Sequence, residues 1–464
     1  MSNYKVIVSS HVLLPDTEDL CPAAIIIDSE TGKITEIRLG RYSASDSSDS
    51  FPSDAQWVDA GDRVILPGLV DAHVHLNEPG RTDWEGFYTG TRAAISGGVT
   101  TIVDMPLNSI PPTVTVPDFE IKRQAALGKC FTDVAFWGGV IPGNEAHLKP
   151  LVEAGVKGFK CFLIESGVEE FPCVSESDLR KSMAILQDFP SATLLFHAEL
   201  EEQSAGETVA PEKDRTLYQT FLQSRPQELE INAISLITKL QKSFPSLRCH
   251  IVHLSASNAL PIVRAARASG AKLTVETCFH YLCLASDDIP KGHPEFKCCP
   301  PIRDTHNCDA LWAALKDGTI DCVVSDHSPC VAELKHLDDG DIMSAWGGIS
   351  SVGLGLSLLW TEGRKRGVGI NEILKWTSLN TAKHAGLDHA KGKLAAGYDA
   401  DVVVWDPDAE FELTREDLNF KNRVSPYIGQ KLRGRVEMTF LRGSLAYDWT
   451  NGGVGNIGPK GRLL

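Results

Sequence analysis

Residues 69–76 read Leu-Val-Asp-Ala-His-Val-His-Leu, an apolar run that carries two histidines near its end. Seven further apolar runs follow it, separated by amphipathic stretches that are long enough for helices. The eight runs are residues 69–76, 99–105, 134–141, 158–163, 193–198, 249–254, 272–277 and 321–325. Continuously apolar strands are typical of a parallel sheet that is buried on both faces. Eight of them alternating with helices predict an α/β fold, a (β/α)8 TIM-type barrel.

Both ends of the chain differ in sequence pattern from the middle, because they consist of short apolar runs separated by turn residues. Examples are residues 6–8, 24–27, 34–37 and 434–441. Because chain termini usually lie close together, we expect the N- and C-terminal segments to form one small composite β-sandwich domain. The predicted boundaries are 1–66 plus 391–464 for this domain and 67–390 for the barrel.

The composition limits the class of partner. The 464 residues include 45 Lys+Arg and 61 Asp+Glu, which leaves a formal net charge of -16. Proteins that neutralise many phosphates normally carry a basic surface, so nucleic acid is not expected as a partner. No run reaches the roughly 18 apolar residues of a membrane span, and the first residues lack the pattern of a signal peptide. With twelve cysteines but no C-x-x-C pair, we expect reduced thiols and a cytoplasmic protein.

Metal-compatible side chains lie near the ends of five of the eight predicted strands, where barrel enzymes carry their active residues. They are His73, His75, Lys160, His197, His253 and Asp326. His73 and His75 alternate along one strand and therefore share a face. A single histidine at a strand end is more often a hydrogen-bonded structural residue than a ligand. The coincidence across five strands favours a metal site over that alternative.

The donor set suggests two metals and a bridge. Four imidazoles and a carboxylate suit divalent ions, Zn²⁺ above all, with Mn²⁺ or Co²⁺ as alternatives. Two dications need more anionic charge, and an N6-carboxylated Lys160 would supply it and bridge them. An unmodified, unpaired lysine inside run 158–163 would be costly. Bridged metals lower the pKa of a shared water, and Asp326 is placed to pass its proton to a leaving nitrogen. This chemistry hydrolyses amides, ureas or esters.

Five segments together resemble the amidohydrolase superfamily, and within it the cyclic amidohydrolases: dihydroorotases, hydantoinases and allantoinases. The segments are residues 71–75, 158–160, 196–199, 252–255 and 325–329. The resemblance implies that His73, His75 and Asp326 hold one metal, that His197 and His253 hold the other, and that carboxylated Lys160 bridges them. It also implies a homo-oligomer, a homotetramer in many relatives.

Loop segments distinguish the branches of this family. Dihydroorotases have an arginine two residues after the metal pair, where it binds the substrate carboxylate, and Asn77 stands in that place here. An amide suits a neutral ureido substrate better. Residues 104–109, 325–330 and 345–349 resemble the allantoinase branch, which implies hydrolysis of the hydantoin ring amide of allantoin to allantoate. Dihydroorotase and hydantoinase or dihydropyrimidinase activities remain alternatives, with a non-enzymatic dihydropyrimidinase-like scaffold as a remote one.

Loop residues near the metal site are the predicted substrate contacts. They are Asn77, Asn108, Cys299, Ser328 and Gly347. Several relatives have serine in place of Cys299 and contact the ring there through main-chain groups, so a backbone or a side-chain contact from Cys299 stays open. No motif or neighbouring histidine supports a nucleophilic role for this thiol.

Overall fold

Strands alternate with helices along the middle of the chain, whereas both ends consist mainly of strands. This computed structural model describes residues 3–15, 17, 19–46, 51–201, 214–455 and 457–464. The strands are β1 (Tyr4–Val12), β2 (Cys21–Asp28), β3 (Ile34–Leu39), β4 (Gln56–Asp59), β5 (Val64–Pro67), β6 (Leu69–Val74), β7 (Val99–Asp104), β8 (Asp133–Phe136), β9 (Gly138–Gly139), β10 (Gly158–Phe162), β11 (Thr193–His197), β12 (Arg248–Ile251), β13 (Leu273–Cys278), β14 (Cys322–Val324), β15 (Val402–Glu412), β16 (Lys431–Leu441) and β17 (Ser444–Asp448). The α-helices are α1 (Phe87–Ser96), α2 (Val116–Ala126), α3 (Glu145–Ala154), α4 (Glu176–Leu186), α5 (Tyr218–Ser224), α6 (Glu228–Gln241), α7 (Leu260–Ala268), α8 (Phe279–Cys283), α9 (Thr305–Lys316), α10 (Gly355–Arg364), α11 (Ile370–Leu374) and α12 (Asn380–His384).

The strands from β6 to β14 form a barrel of parallel strands. β6, β7 and β8 pair in that order, and β9 to β14 pair in sequence order. Only Trp137 separates β8 from β9, and its N–H donates to the carbonyl of Asp104 at 3.0 Å, so the two segments form one continuous strand of the barrel. The barrel closes where Val74 pairs in parallel with His327. The predicted (β/α)8 barrel is confirmed.

Burial explains why the barrel strands have continuous apolar sequences. Every residue of β6 and of β7 is buried, because the helices cover the outer face and side chains fill the inner one. Each of the eight predicted runs overlaps one strand of the barrel, with β8 and β9 counted as one. The sequence does not predict α3, because Pro150 lies in its interior, where proline normally disfavours a helix.

Strands from both ends of the chain form one eight-stranded sheet, the β domain. Its order is β17-β16-β15-β5-β1-β2-β3, and β4 pairs with β1. β15 joins the C-terminal part to the N-terminal part, with Val402 opposite Pro67 and Trp405 opposite Val64. The strands predicted for a β-sandwich therefore belong to this sheet. The exact division at residues 66/67 and 390/391 stays a prediction.

A buried ion cluster links the barrel to the β domain. Lys391 Nζ lies 2.6 Å from a carboxylate oxygen of Asp133, which begins β8, and 2.7 and 2.8 Å from oxygens of Asp401 and Asp399. Arg442 also pairs with Asp133. Three carboxylates around one buried ammonium hold the two parts of the chain together.

Across the described ranges, no helix is both long and apolar enough to cross a membrane.

Candidate metal centre

All six predicted metal ligands line one cavity of about 430 Å³ at the carboxyl ends of the barrel strands. Four of the predicted substrate contacts line the same cavity, namely Asn108, Cys299, Ser328 and Gly347. Asn77 does not; its side chain is buried and donates to the carbonyl of Pro329 at 3.2 Å. The structure thus brings ten of the eleven predicted residues together at the cavity, and Asn77 is not among the residues that line it.

His73, His75 and Asp326 form the tightest group. Asp326 Oδ1 lies 3.2 Å from His73 Nε2 and 3.6 Å from His75 Nε2. One donor atom from each of the three residues lies within 4.8 Å of the others, and all three residues are buried. Asp326 adopts φ 43°, a backbone conformation that residues other than glycine rarely adopt and that concentrates at functional sites. Two imidazoles and a carboxylate in this arrangement fit a divalent ion.

His197 and His253 lie beside this group. Their ring centroids are 4.6 Å apart, and the rings of His253 and His73 are 5.5 Å apart. His197 stacks on Phe162 with 4.5 Å between centroids, which fixes its ring plane. His253 Nδ1 is buried and has no hydrogen-bond partner among the described residues. A buried donor or acceptor without a partner needs a reason, and a neighbouring ion would be one.

Lys160 differs from the other buried lysines of the described chain. The other four each donate a hydrogen bond to a carboxylate or a carbonyl; they are Lys122, Lys297, Lys335 and Lys391. Lys160 is 1% exposed, and among the described residues its Nζ has no carboxylate or carbonyl partner and lies 5.1 Å from the centroid of the Phe162 ring. Burial lowers the pKa of its ammonium to about 8. An amine that is buried, unpaired and easily deprotonated fits a chemically modified residue better than a structural one.

Electrostatics keep the candidate ligands in metal-binding form. Burial lowers the pKa of His197 to about 4, and it holds the pKa values of His75 and His253 well below the ordinary value. These imidazoles are therefore neutral near pH 7 and keep a free lone pair. Burial raises the pKa of Asp326, with His73 and Lys160 acting in the opposite direction.

Two buried carboxylates that the sequence interpretation did not identify hold the histidines in place. Glu276 Oε1 lies 2.5 Å from Nδ1 of His73, and Glu199 Oε2 lies 2.7 Å from Nε2 of His197. Such carboxylates select the tautomer that offers the other ring nitrogen to a metal. Each had a sequence signal. Glu199 comes two residues after His197, and Glu276 is an acidic residue inside an apolar run.

Close packing explains the two glycines in the loop after β14. A Cβ on Gly348 would lie 2.2 Å from the carbonyl oxygen of Ser328, and a Cβ on Gly347 would lie 3.0 Å from Cys299 Sγ. The Gly348 position therefore requires glycine for a close approach to backbone, whereas a side chain at position 347 would need Cys299 Sγ to shift slightly. Burial raises the pKa of the Cys299 thiol, which argues against a nucleophilic thiolate.

A family model described as "Amidohydrolase family" matches residues 64–446. The chain belongs to the amidohydrolase family. This amidohydrolase is 47% identical to the allantoinase of Saccharomyces cerevisiae over 448 residues, 96% of each chain. It is 51% identical to "Allantoinase, mitochondrial" of Aquarana catesbeiana over 394 residues, 85% of this chain and 78% of the relative. The solved L-hydantoinase (dihydropyrimidinase) of Arthrobacter aurescens matches with TM-score 0.85 at 26% identity, covering 99% of this chain and 97% of that one. Membership of the amidohydrolase family implies divalent metal binding.

Proposed function

We infer that this amidohydrolase is an allantoinase, a metal-dependent hydrolase that opens the hydantoin ring amide of allantoin to give allantoate. One observation carries the proposal: all six candidate ligands surround one cavity, in a chain that is 47% identical to a yeast allantoinase over 96% of both lengths. A non-enzymatic scaffold would not need all six metal ligands.

We assign His73, His75 and Asp326 to one metal ion and His197 and His253 to the other. Two divalent ions, when bound, act as Lewis acids and make water a stronger nucleophile near neutral pH. Asp326 accepts a proton on a carboxylate oxygen and passes it to the ring nitrogen that leaves. The raised pKa of Asp326 suits the first half of this exchange, because a carboxylate whose pKa is raised binds a proton more readily.

Lys160 is proposed as the bridge between the ions, in N6-carboxylated form. Its neutral amine attacks CO₂, a C–N bond forms, and one proton is released to give an anionic carbamate. A pKa of about 8 leaves part of the amine unprotonated at neutral pH. The carbamate adds the negative charge that two dications require, and it gives the otherwise unpaired Nζ a function.

The cavity suits a neutral substrate. Asn108 and Ser328 offer an amide and a hydroxyl, and Cys299 and Gly347 offer main-chain groups. Arg225 also lines the cavity, and an arginine could favour the carboxylate of dihydroorotate instead. Its Nη1 lies 2.5 Å from Glu199, however, so its charge is already neutralised.

Asn77 supports this site from behind the cavity wall. It donates to the carbonyl of Pro329, the residue after Ser328. We therefore propose that it shapes the substrate loop and does not touch the ring. An arginine in its place would bring an additional positive charge to the same wall, which an anionic substrate would favour and a neutral one would not.

The test is product identification. Purified protein loaded with Zn²⁺ is incubated with allantoin, and mass spectrometry follows the appearance of allantoate. We expect turnover that a chelator abolishes and added Zn²⁺ restores, and no turnover by Asp326→Asn. Allantoate formation that is unaffected by complete metal removal would contradict the proposal.

We further propose Zn²⁺ as the resident metal, with Mn²⁺ or Co²⁺ as alternatives, and a homotetramer in the cytoplasm. Mixed imidazole and carboxylate donors suit Zn²⁺. All twelve cysteines are free, as in a reducing compartment. We also propose residues 1–66 plus 391–464 as the β domain and 67–390 as the barrel. Metal analysis and light scattering on the purified protein test the metal and the oligomer.

A further inference from the structure

One wall of the cavity is formed by residues 346–348, and a buried lysine lies behind it. Lys335 is 2% exposed, and its Nζ donates to the carbonyl of Trp346 at 3.1 Å and to the carbonyl of Gly348. Among the described residues no carboxylate pairs with this ammonium. Lys335 does not line the cavity, whereas Trp346, Gly347 and Gly348 all do. A buried cation whose partners are only carbonyls of a cavity wall requires an explanation.

The hydrogen bonds of this wall leave one donor free. The N–H of Trp346 donates to the carbonyl of Leu334 at 2.7 Å, and the N–H of Gly348 donates to the carbonyl of Lys297 at 2.8 Å. With the two bonds from Lys335, Trp346 and Gly348 are each held through both their own N–H and their own C=O. The N–H of Gly347, between them, has no partner within the described part of the chain.

The direction of that free N–H follows from peptide geometry. The bond between Trp346 and Gly347 is trans, since the three cis bonds in the structure all precede proline. In a trans peptide the C=O and the N–H point in opposite directions. The Trp346 carbonyl points to Lys335, so the Gly347 N–H points away from Lys335, and Gly347 itself lines the cavity.

We propose that Lys335 is a positioning residue for the hydrolase: by holding the carbonyls of Trp346 and Gly348 it presents the Gly347 N–H to a carbonyl oxygen of the cyclic amide. The inference rests on the proposed function, because it needs a cyclic amide in this cavity. A fixed backbone donor costs little reorganisation when the substrate binds. It would orient the ring relative to Asp326 without any contact from Lys335 itself.

The test replaces Lys335 with methionine, which keeps an unbranched side chain one atom shorter but removes the donors. The control is Lys5→Met in the β domain, where Nζ donates to the carbonyl of Gly443 at 2.6 Å. Both variants lose an ammonium–carbonyl bond, but only one lies at the cavity. KM and kcat are measured per metal-loaded site on the cyclic amide that the unmodified protein hydrolyses best, together with hydrogen exchange of residues 341–349.

We expect Lys335→Met to raise KM about five- to tenfold, the loss of one ordinary hydrogen bond to substrate. The amides of Trp346 and Gly348 should exchange faster than in the unmodified protein. Lys335→Arg, which keeps donors, should have a KM close to that of the unmodified protein. Lys5→Met should leave KM and this exchange unchanged. If Lys335→Met does not fold, Lys335→Gln, whose shorter side chain keeps a neutral donor, should give an intermediate KM.

Three outcomes would overturn the inference or the function. An unchanged KM in folded Lys335→Met or Lys335→Gln overturns the positioning role and leaves the proposed function intact. Preference for a cyclic amide other than allantoin overturns the proposed function, while the comparison of variants still tests Lys335. Absence of any cyclic amide turnover by the unmodified protein overturns both.

Discussion

Glu276 accepts a hydrogen bond from His73 Nδ1 at 2.5 Å, and its other oxygen lies 3.1 Å from Nε2 of His250. The carboxylate is fully buried, and it also accepts from the backbone N–H of His253 at 3.3 Å. One side chain of β13, a strand that carries no candidate ligand, therefore fixes a histidine of β6 and the backbone of a histidine that follows β12. This arrangement orients ligands of both proposed metal ions.

We predict that Glu276→Gln weakens metal binding by about 10- to 100-fold, because an amide holds the His73 tautomer less firmly than a carboxylate does. Competition with a chromogenic chelator measures the affinity. Glu120→Gln, on the exposed face of α2, is the matched control and should bind metal normally. Equal affinities in the two variants would show that Glu276 does not orient the site.

Lys160→Ala should abolish activity and metal occupancy together, because the proposed bridge and its charge are removed. Small carboxylic acids such as acetate should restore part of both by occupying the vacated space. Metal analysis and allantoin turnover measure the two effects. Lys157→Ala, a half-buried lysine just before the same strand, should retain both. Full activity of the Lys160 variant would rule out the carbamate bridge.

Lys391→Met should destabilise the protein by about 3–5 kcal/mol, because it leaves the carboxylates of Asp133, Asp399 and Asp401 buried without their common cation. Chemical denaturation measures the free energy of unfolding. The exposed Lys383→Met should change it by less than about 0.5 kcal/mol. A small loss in the Lys391 variant would mean that the ion cluster does not hold the barrel to the β domain.

His384 makes stability depend on pH. Burial, followed by the neighbouring His250, holds its pKa well below the ordinary value. Below pH of about 6.5 the unfolded chain binds a proton there that the folded protein cannot bind, so folding becomes less favourable as pH falls. The stability of His384→Gln relative to the unmodified, metal-free protein should therefore increase by about 1.4 kcal/mol per pH unit below that value.

Denaturation curves at pH 7.0, 6.0 and 5.0, values chosen to bracket the ordinary histidine pKa of about 6.5, test this dependence. His147→Gln, which replaces an exposed histidine of α3, is the control. A stability difference between His384→Gln and the unmodified protein that stays constant with pH would contradict the account of His384.

The barrel could be predicted because it depends on local sequence pattern. Continuous apolar runs reflect burial on both faces, and the ligands are visible because they interrupt those runs at the strand ends. His73 and Asp326 could be paired in advance, since parallel strands all end at one face of the barrel. In the structure their side chains lie 3.2 Å apart.

Features that depend on contacts between distant segments were not predictable. Glu276 stands out as an acidic residue inside an apolar run, but it lies 203 residues from His73 and no local spacing pairs the two. The position of Asn77 after the histidine pair predicts a substrate contact, but its side chain donates to the carbonyl of Pro329 and does not line the cavity. The role inferred for Lys335 depends on where two carbonyls point, which only the folded loop reveals.

The most direct test of the central claim compares kcat/KM for allantoin, dihydroorotate and unsubstituted hydantoin, using one preparation of the protein loaded with Zn²⁺ or Mn²⁺. The account predicts the highest value for allantoin, because the cavity carries a neutralised Arg225 and no arginine at position 77. A higher value for dihydroorotate would contradict the assignment to allantoin, even if every metal ligand proved correct.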